Sequence, residues 1–137
     1  MISITSSPID VSEILDNIND DDSIGATAIF LGSVRGQTEK NSPVHGIYYE
    51  AYKEMAEKIL IEIEEESFRL WRIRKFAAIH RIGYLNVKEV SVMVAVSSPH
   101  RKESLEACKY GIENIKLRVP IWKKEISQSG SSWIGGF

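Results

Sequence analysis

Ile115-Lys116-Leu117-Arg118-Val119-Pro120-Ile121-Trp122-Lys123-Lys124-Glu125 is the stretch from which the rest of the chain can be read. Leu105, Cys108, Ile112, Ile115 and Val119 lead into it at intervals of three and four, an apolar stripe with helical spacing. The helix must stop before Pro120, because proline lacks an amide hydrogen and forces the residue before it into extended backbone. Lys116 then occupies the last helical turn, and Lys123 an extended segment beyond it. A chain that folds back at Pro120 brings the two lysines to one cleft. The competing reading is two solvated surface lysines, and their company elsewhere in the chain decides between the two.

The C-terminal third is the place to look for an anionic ligand. Residues 99–137 hold seven Lys and Arg against four acids, whereas residues 1–23 hold six acids and no Lys or Arg. The net charge of the 137 residues is only −2, which gives no global attraction to nucleic acid or anionic membrane. A hydrophobic content of 43% and a charged content of 26% suit one globular domain over 1–137. The single cysteine, Cys108, allows neither an internal disulfide nor a zinc-binding spacing and reads as a small core residue. No apolar run is long enough for a membrane helix, and Met1–Pro8 has no basic leader, so a cytoplasmic protein is expected.

In chain order, Ile2–Thr5 reads as a short strand, and Ser7-Pro8 as the start of an amphipathic helix through Ile14 and Ile18. Gly25–Val34 reads as a buried strand with a bulge or close approach at Gly32, followed at once by Arg35. The polar loop 36–43 is a candidate for closing over a ligand. Val44–Tyr52 returns as a strand with Ile47, Tyr49 and Ala51 on one face and Tyr48, Glu50 and Tyr52 on the other. The helix over Glu54–Trp71 is expected to bury Met55, Ile59, Ile63, Leu70 and Trp71, with its acids forming a solvated face rather than a metal site.

Phe76–Ile82 and Glu89–Ser97 read as two strands joined by a hairpin connection over Gly83–Lys88, with both faces of the second one buried. His80 reads as a structural or interface histidine. Ser97 or Ser98 caps the next helix, with Pro99 in its first turn. His100 and Arg101 put positive charge where a helix dipole disfavours it, and an anion at the free amides gives that placement a reason.

Four segments in this order carry a resemblance: Phe30-Leu31-Gly32-Ser33-Val34-Arg35, Ile79-His80-Arg81-Ile82-Gly83, Ser98-Pro99-His100-Arg101 and Lys116–Glu125. Over roughly residues 2–134 the chain resembles the catalytic (large) subunit of molybdopterin synthase. The resemblance implies an α+β chain with the α/β hammerhead fold, a mostly antiparallel sheet with packed helices. It implies a homodimer with a small ubiquitin-like sulfur-carrier subunit at each far end, and so a heterotetramer. The carrier's C-terminal Gly-Gly thiocarboxylate would enter the pocket and convert cyclic pyranopterin monophosphate to molybdopterin. No metal or organic cofactor is implied. By the same resemblance Lys116 and Lys123 are the catalytic lysines, and Arg35, His100 and Arg101 join them in binding substrate, some of them across the dimer. The family often continues into a charged C-terminal tail that this sequence lacks, and Trp133, Ile134 and Phe137 are the candidates for touching the carrier.

Two other classes share some of these features. A non-catalytic dimeric partner that binds a ubiquitin-like tail or a phosphorylated ligand would use the same cations, though it would not need both lysines. A small RNA-binding domain would use Tyr48 and Tyr52 as stacking platforms, but a pI of about 5.9 opposes it.

Overall fold

The structure is a computed structural model and describes residues 1–37, 43–127 and 130–134. The expected loop closure at 38–42 and the three last residues, Gly135, Gly136 and Phe137, lie outside the described residues. The elements run β1 (Ile2–Thr5), α1 (Val11–Ile18), β2 (Ala26–Ser33), β3 (Gly46–Ala51), α2 (Lys53–Leu70), β4 (Lys75–Arg81), β5 (Gly83–Asn86), β6 (Val90–Ser98), α3 (Arg101–Arg118), β7 (Ile121–Ser127) and β8 (Gly130–Ile134).

They form two four-stranded sheets. The first has the order β1-β4-β6-β2, with β1 parallel to β4 and the other pairs antiparallel; the second, β5-β3-β7-β8, is antiparallel throughout. Helices α2 and α3 pack beside the first sheet, and α1 covers its other face. The expectation that β6 is buried on both sides holds. Val92, Val94 and Val96 enter the main core with Leu60, Ile63 and Ile115, while Met93 and Ala95 meet Ile14 and Ile18 of α1. Gly111 lets α3 cross the sheet closely, since a Cβ there would lie 3.0 Å from Val94 Cγ1 and 3.3 Å from Phe76 Cζ.

Several sequence expectations need correction. Helix α1 begins after Asp10, not at Ser7-Pro8: the Asp10 carboxylate accepts from the Glu13 amide at 3.1 Å, an N-cap with an acid at the third helical position. Strand β2 is not buried on both faces, for Ile29 and Leu31 are 44% and 42% exposed. The buried stripe of α2 is Ala56, Leu60, Ile63 and Ser67, whereas Met55 and Leu70 face solvent. Small residues allow close packing, and the Ser67 hydroxyl donates to the Ile63 carbonyl at 2.8 Å, so its burial leaves no orphan.

Gly83–Lys88 is more than a hairpin connection. Gly83 takes φ +94°, and the chain switches sheets there, so that β5 pairs with β3. Helix α3 starts after His100 without a side-chain cap, because the Ser98 hydroxyl donates to the His100 carbonyl at 2.5 Å instead. Leu105 is exposed, and the rest of its predicted stripe is buried.

The α2–α3 contact is fastened by Arg118, whose Nη1 lies 2.6 Å from Glu66 Oε1 and whose Nη2 lies 3.0 Å from Oε2. Tyr110 adds a third donor at 2.5 Å. Arg118 first, and Tyr110 second, hold the Glu66 carboxyl at about 2 against an ordinary 4.5. A depressed carboxylate stabilises the fold above its unfolded pKa, and that contribution fades as pH falls from 4.5 toward 2. Arg118→Ala is therefore expected to cost about 1 kcal/mol at neutral pH, with the gap from wild type narrowing by about pH 3.5. Thermal melts of both proteins across pH check this; a gap independent of pH would contradict it.

Candidate active site at the seam of the two sheets

The helix end and the strand after it do converge. Helix α3 stops at Arg118, and Val119 takes extended backbone (φ −80°, ψ 127°) ahead of Pro120. The Pro120 carbonyl accepts from the Tyr52 amide at 3.2 Å, which ties the turn to the end of β3. Strand β7 then runs antiparallel to β3, pairing Ala51 with Ile121 and Tyr49 with Lys123. Tyr49 faces inward, so Lys123 does too, by the two-residue alternation of strands. Lys124 points the other way, with its ammonium 4.5 Å from the centre of the Trp133 ring.

Between the two sheets lies a cavity of roughly 710 Å³. Its walls come from β2 (Phe30, Gly32, Ser33), β3 (Ile47, Tyr49), β6 (Ser91, Val92) and the end of α3 (Ile112, Ile115, Lys116). Lys123 and Glu125 of β7 and Ile134 of β8 close another side, with Arg35 and Gln37 at the exit of β2. The bulge expected at Gly32 is present as a register shift between Gly32 and Ser33. It places both residues on the cavity, and a Cβ at Gly32 would fall 2.7 Å from Val92 Cγ1.

Three of the five expected site residues, Arg35, Lys116 and Lys123, therefore line one cavity. The other two do not. His100 and Arg101 are exposed at the start of α3, and Lys116 is near its end, about 22 Å along the axis at 1.5 Å per residue. They share no cavity wall with the lysines within one chain.

The cavity also holds groups that the sequence reading did not assign to it: His80, Tyr49, Ser91 and Glu125. His80 is 4% exposed, and its ring meets Tyr49 edge-on with centroids 5.0 Å apart. Burial, and then the nearby charges of Lys116 and Lys123, hold the imidazole at about 4, below its ordinary 6.5, so it is neutral at physiological pH. Burial likewise raises the Tyr49 hydroxyl, which keeps it protonated. The alternation of β3 was readable and set Tyr49 on one face with Ile47 and Ala51, but left open which face turns inward; the position of His80 depends on which strand its sheet places across the gap.

Chemically, the site is a half-open cleft that brings together, among the described residues, three cations, one carboxylate and several neutral hydrogen-bonding groups. That arrangement suits an anionic organic ligand of moderate size. Among the described residues no three His, Cys, Asp or Glu side chains converge as a metal site requires, and no helix is long and apolar enough to cross a membrane.

Comparison with known proteins bears on the fold that carries this site. The family model described as MoaE protein matches residues 4–118. The chain is 44% identical over 132 residues to the molybdopterin synthase catalytic subunit of Bacillus subtilis, covering 96% of this chain and 83% of that protein. It is 47% identical over 111 residues to the catalytic subunit of Staphylococcus aureus, covering 81% of this chain and 74% of that one. Among solved structures, molybdopterin synthase from Staphylococcus aureus superposes with a TM-score of 0.90 at 41% identity, over 96% of this chain and 95% of that one. The fold also matches a chain in a complex of subunits 1 and 2 of molybdopterin-converting factor from Helicobacter pylori, with a TM-score of 0.81 at 21% identity over 98% and 90%.

Cys108 stands apart from this chemistry. It is 6% exposed, its thiol donates to the Val94 carbonyl at 3.6 Å, and burial pushes its pKa up to about 11. The native protein is expected to resist a thiol reagent at about pH 8, whereas the unfolded chain reacts freely. Time-resolved labelling with and without denaturant checks this, and rapid labelling of the native protein would contradict it.

Proposed function

The chain belongs to the MoaE protein family, and from that premise we propose that it works as a molybdopterin synthase catalytic subunit. In this reading it transfers sulfur to cyclic pyranopterin monophosphate from the C-terminal thiocarboxylate of a small ubiquitin-like carrier subunit, in the cytoplasm. The observation that carries the reading is the meeting of Lys116, from a helix end, with Lys123, from the following strand, and with Arg35 on one cavity.

The physical reason for such a cavity is the charge of its two reactants. A cyclic phosphate and a thiocarboxylate are both anions, and unit charges 4 Å apart at an effective dielectric of 20 repel by about 4 kcal/mol. Three fixed cations offset that repulsion. Lys116 is assigned to proton transfer at the carbon that receives sulfur, and Lys123 to stabilising the negative charge that develops there. A narrow approach suits a Gly-Gly tail, which has no side chain to exclude. The assembly of subunits 1 and 2 in the Helicobacter pylori complex supports a carrier partner.

His100 and Arg101 enter the reading through a second copy of the chain. Strand β2 is an edge strand of the first sheet, with Ile29 and Leu31 exposed. A long apolar edge invites pairing. Two β2 strands paired antiparallel about a dyad near Ile29 and Phe30 would set Ala26 of one copy against Ser33 of the other. The start of α3 travels with Ala26, since the Gly25 amide donates to the Ser98 carbonyl at 3.0 Å. That arrangement delivers the second copy's His100 and Arg101, with the uncapped amides of its α3, to the Arg35 side of the cavity.

A single-turnover assay with thiocarboxylated carrier and cyclic pyranopterin monophosphate tests the chemistry. Wild type is expected to form the dithiolene, and Lys116→Ala and Lys123→Ala are each expected to lose about a hundredfold or more. Tight carrier binding with no product would instead support a non-catalytic partner. A mixed-dimer experiment tests the shared site. Lys116→Ala and Arg101→Ala are each expected to be inactive alone, and random mixing of the two should restore about a quarter of wild-type activity, because half the dimers would carry one intact site. No restoration would overturn the shared site and remove His100 and Arg101 from the lysine pocket.

A further inference from the structure

The polar walls of the cavity are unequal in their chemistry. Arg35, Lys116 and Lys123 can only donate hydrogen bonds, so they recognise anionic oxygen and leave any N–H group of a ligand without a partner. An organic ring seated against the buried inner wall of the cleft, where His80 and Tyr49 lie, must have its donors satisfied, at a cost of about 1–3 kcal/mol for each buried one left unpaired. His80 supplies what the cations lack. Its Nδ1 lies 2.8 Å from the Arg81 carbonyl oxygen, which can only accept, so Nδ1 carries the proton and Nε2 is the acceptor. No described side chain is recorded bonding Nε2, and His80 lines the cavity. The ring is fixed on two sides, by the Arg81 carbonyl and by the edge-on contact with Tyr49 at 5.0 Å.

We propose that His80 is a substrate-binding specificity residue, whose Nε2 accepts a hydrogen bond from an N–H donor of the pterin ring while the cations hold its phosphate. The proposal rests on the functional reading above and extends it from the anionic end of the ligand to its heterocycle. The environment keeps the acceptor available. Among the described residues Arg35, Lys116 and Lys123 line the cavity with Glu125 as the carboxylate, so a protonated imidazole would add to an excess of positive charge, and burial already disfavours it. A neutral histidine stays an acceptor throughout the physiological range, a role that lysine and arginine cannot fill.

Nitrogen NMR of histidine-labelled protein gives a readout that needs no turnover. His80 is expected to show the neutral Nδ1–H tautomer, unchanged between about pH 5.5 and 8. Adding cyclic pyranopterin monophosphate should move the Nε2 resonance in the direction of an accepted hydrogen bond, and inorganic phosphate alone should leave it in place. Equilibrium binding of the pterin, followed by its fluorescence without carrier, supplies the second arm. His80→Phe should weaken binding about tenfold, and His80→Gln, which keeps an acceptor near the same place, should recover most of that loss. Binding by wild type with an unmoved Nε2, an Nε2–H tautomer, or unchanged affinity in folded His80→Phe would each overturn the role of His80 while leaving the functional reading intact. Failure of wild type to bind the pterin would overturn both.

Discussion

The site depends on the break at Pro120 and on the register that follows it. An α-helix cannot pass a proline, and the residue before proline is driven to extended backbone, so α3 and β7 meet at a corner of two residues. The corner is held from outside by the Tyr52 amide on the Pro120 carbonyl. Register then decides which lysine faces inward. With Tyr49 opposite Lys123, the inward face of β7 presents Lys123 and Glu125, and the outward face presents Trp122 and Lys124. A slip of one residue would exchange the two faces and leave Lys116 without its counterpart. The pairing of half-buried Ala51 with buried Ile121 at the start of β7 opposes such a slip.

Around that corner the fold sorts its cations. Arg118 is two residues from Lys116 yet belongs to a different environment, because two residues on a helix are about 200° apart. It turns to α2 and is engaged by Glu66 and Glu62, which gives the acid-rich face of α2 a structural task. Lys116 faces the cavity with Lys123 and Arg35. The neutral state of His80 fits the same pattern: its immediate surroundings are apolar and aromatic, so it is the group least able to keep a charge beside two lysines.

Local chemistry was legible in the sequence, and three-dimensional adjacency was less so. The Pro120 stop, the alternation of β3 and β6, and the bulge at Gly32 follow from steric rules within a few residues, and they appear as read. The resemblance carried the site to Arg35, Lys116 and Lys123. The errors over α2 share a cause, the weighting of large apolar residues over small ones. Ala56 and Ser67 of α2 are buried because another element approaches closely there, and Met55 and Leu70 are left outside. Gly83 read as part of a turn because nothing local shows that the chain changes sheets at that point. His80 read as a structural or interface histidine for the same reason: only the second sheet across the gap turns it into a cavity wall.

The two ends of α3 can be weighed against each other by the helix dipole. Lys116 and Arg118 at its C-terminal turn are favourable whether or not a ligand binds, by about 0.3–1 kcal/mol each. Their presence alone says little about function; the convergence on a cavity gives Lys116 its meaning. His100 and Arg101 stand at the N-terminal end, where the dipole disfavours them, and no side chain caps the free amides there. Local stability therefore does not explain them, and the cavity of the same chain is too far away to do so. An anion held at that end explains both the cations and the open amides. Within a two-fold pair of chains, the anion need not be a different one from the ligand of the lysine pocket. In the proposed two-fold pair the exposed edge of β2 would be the means of joining the two groups.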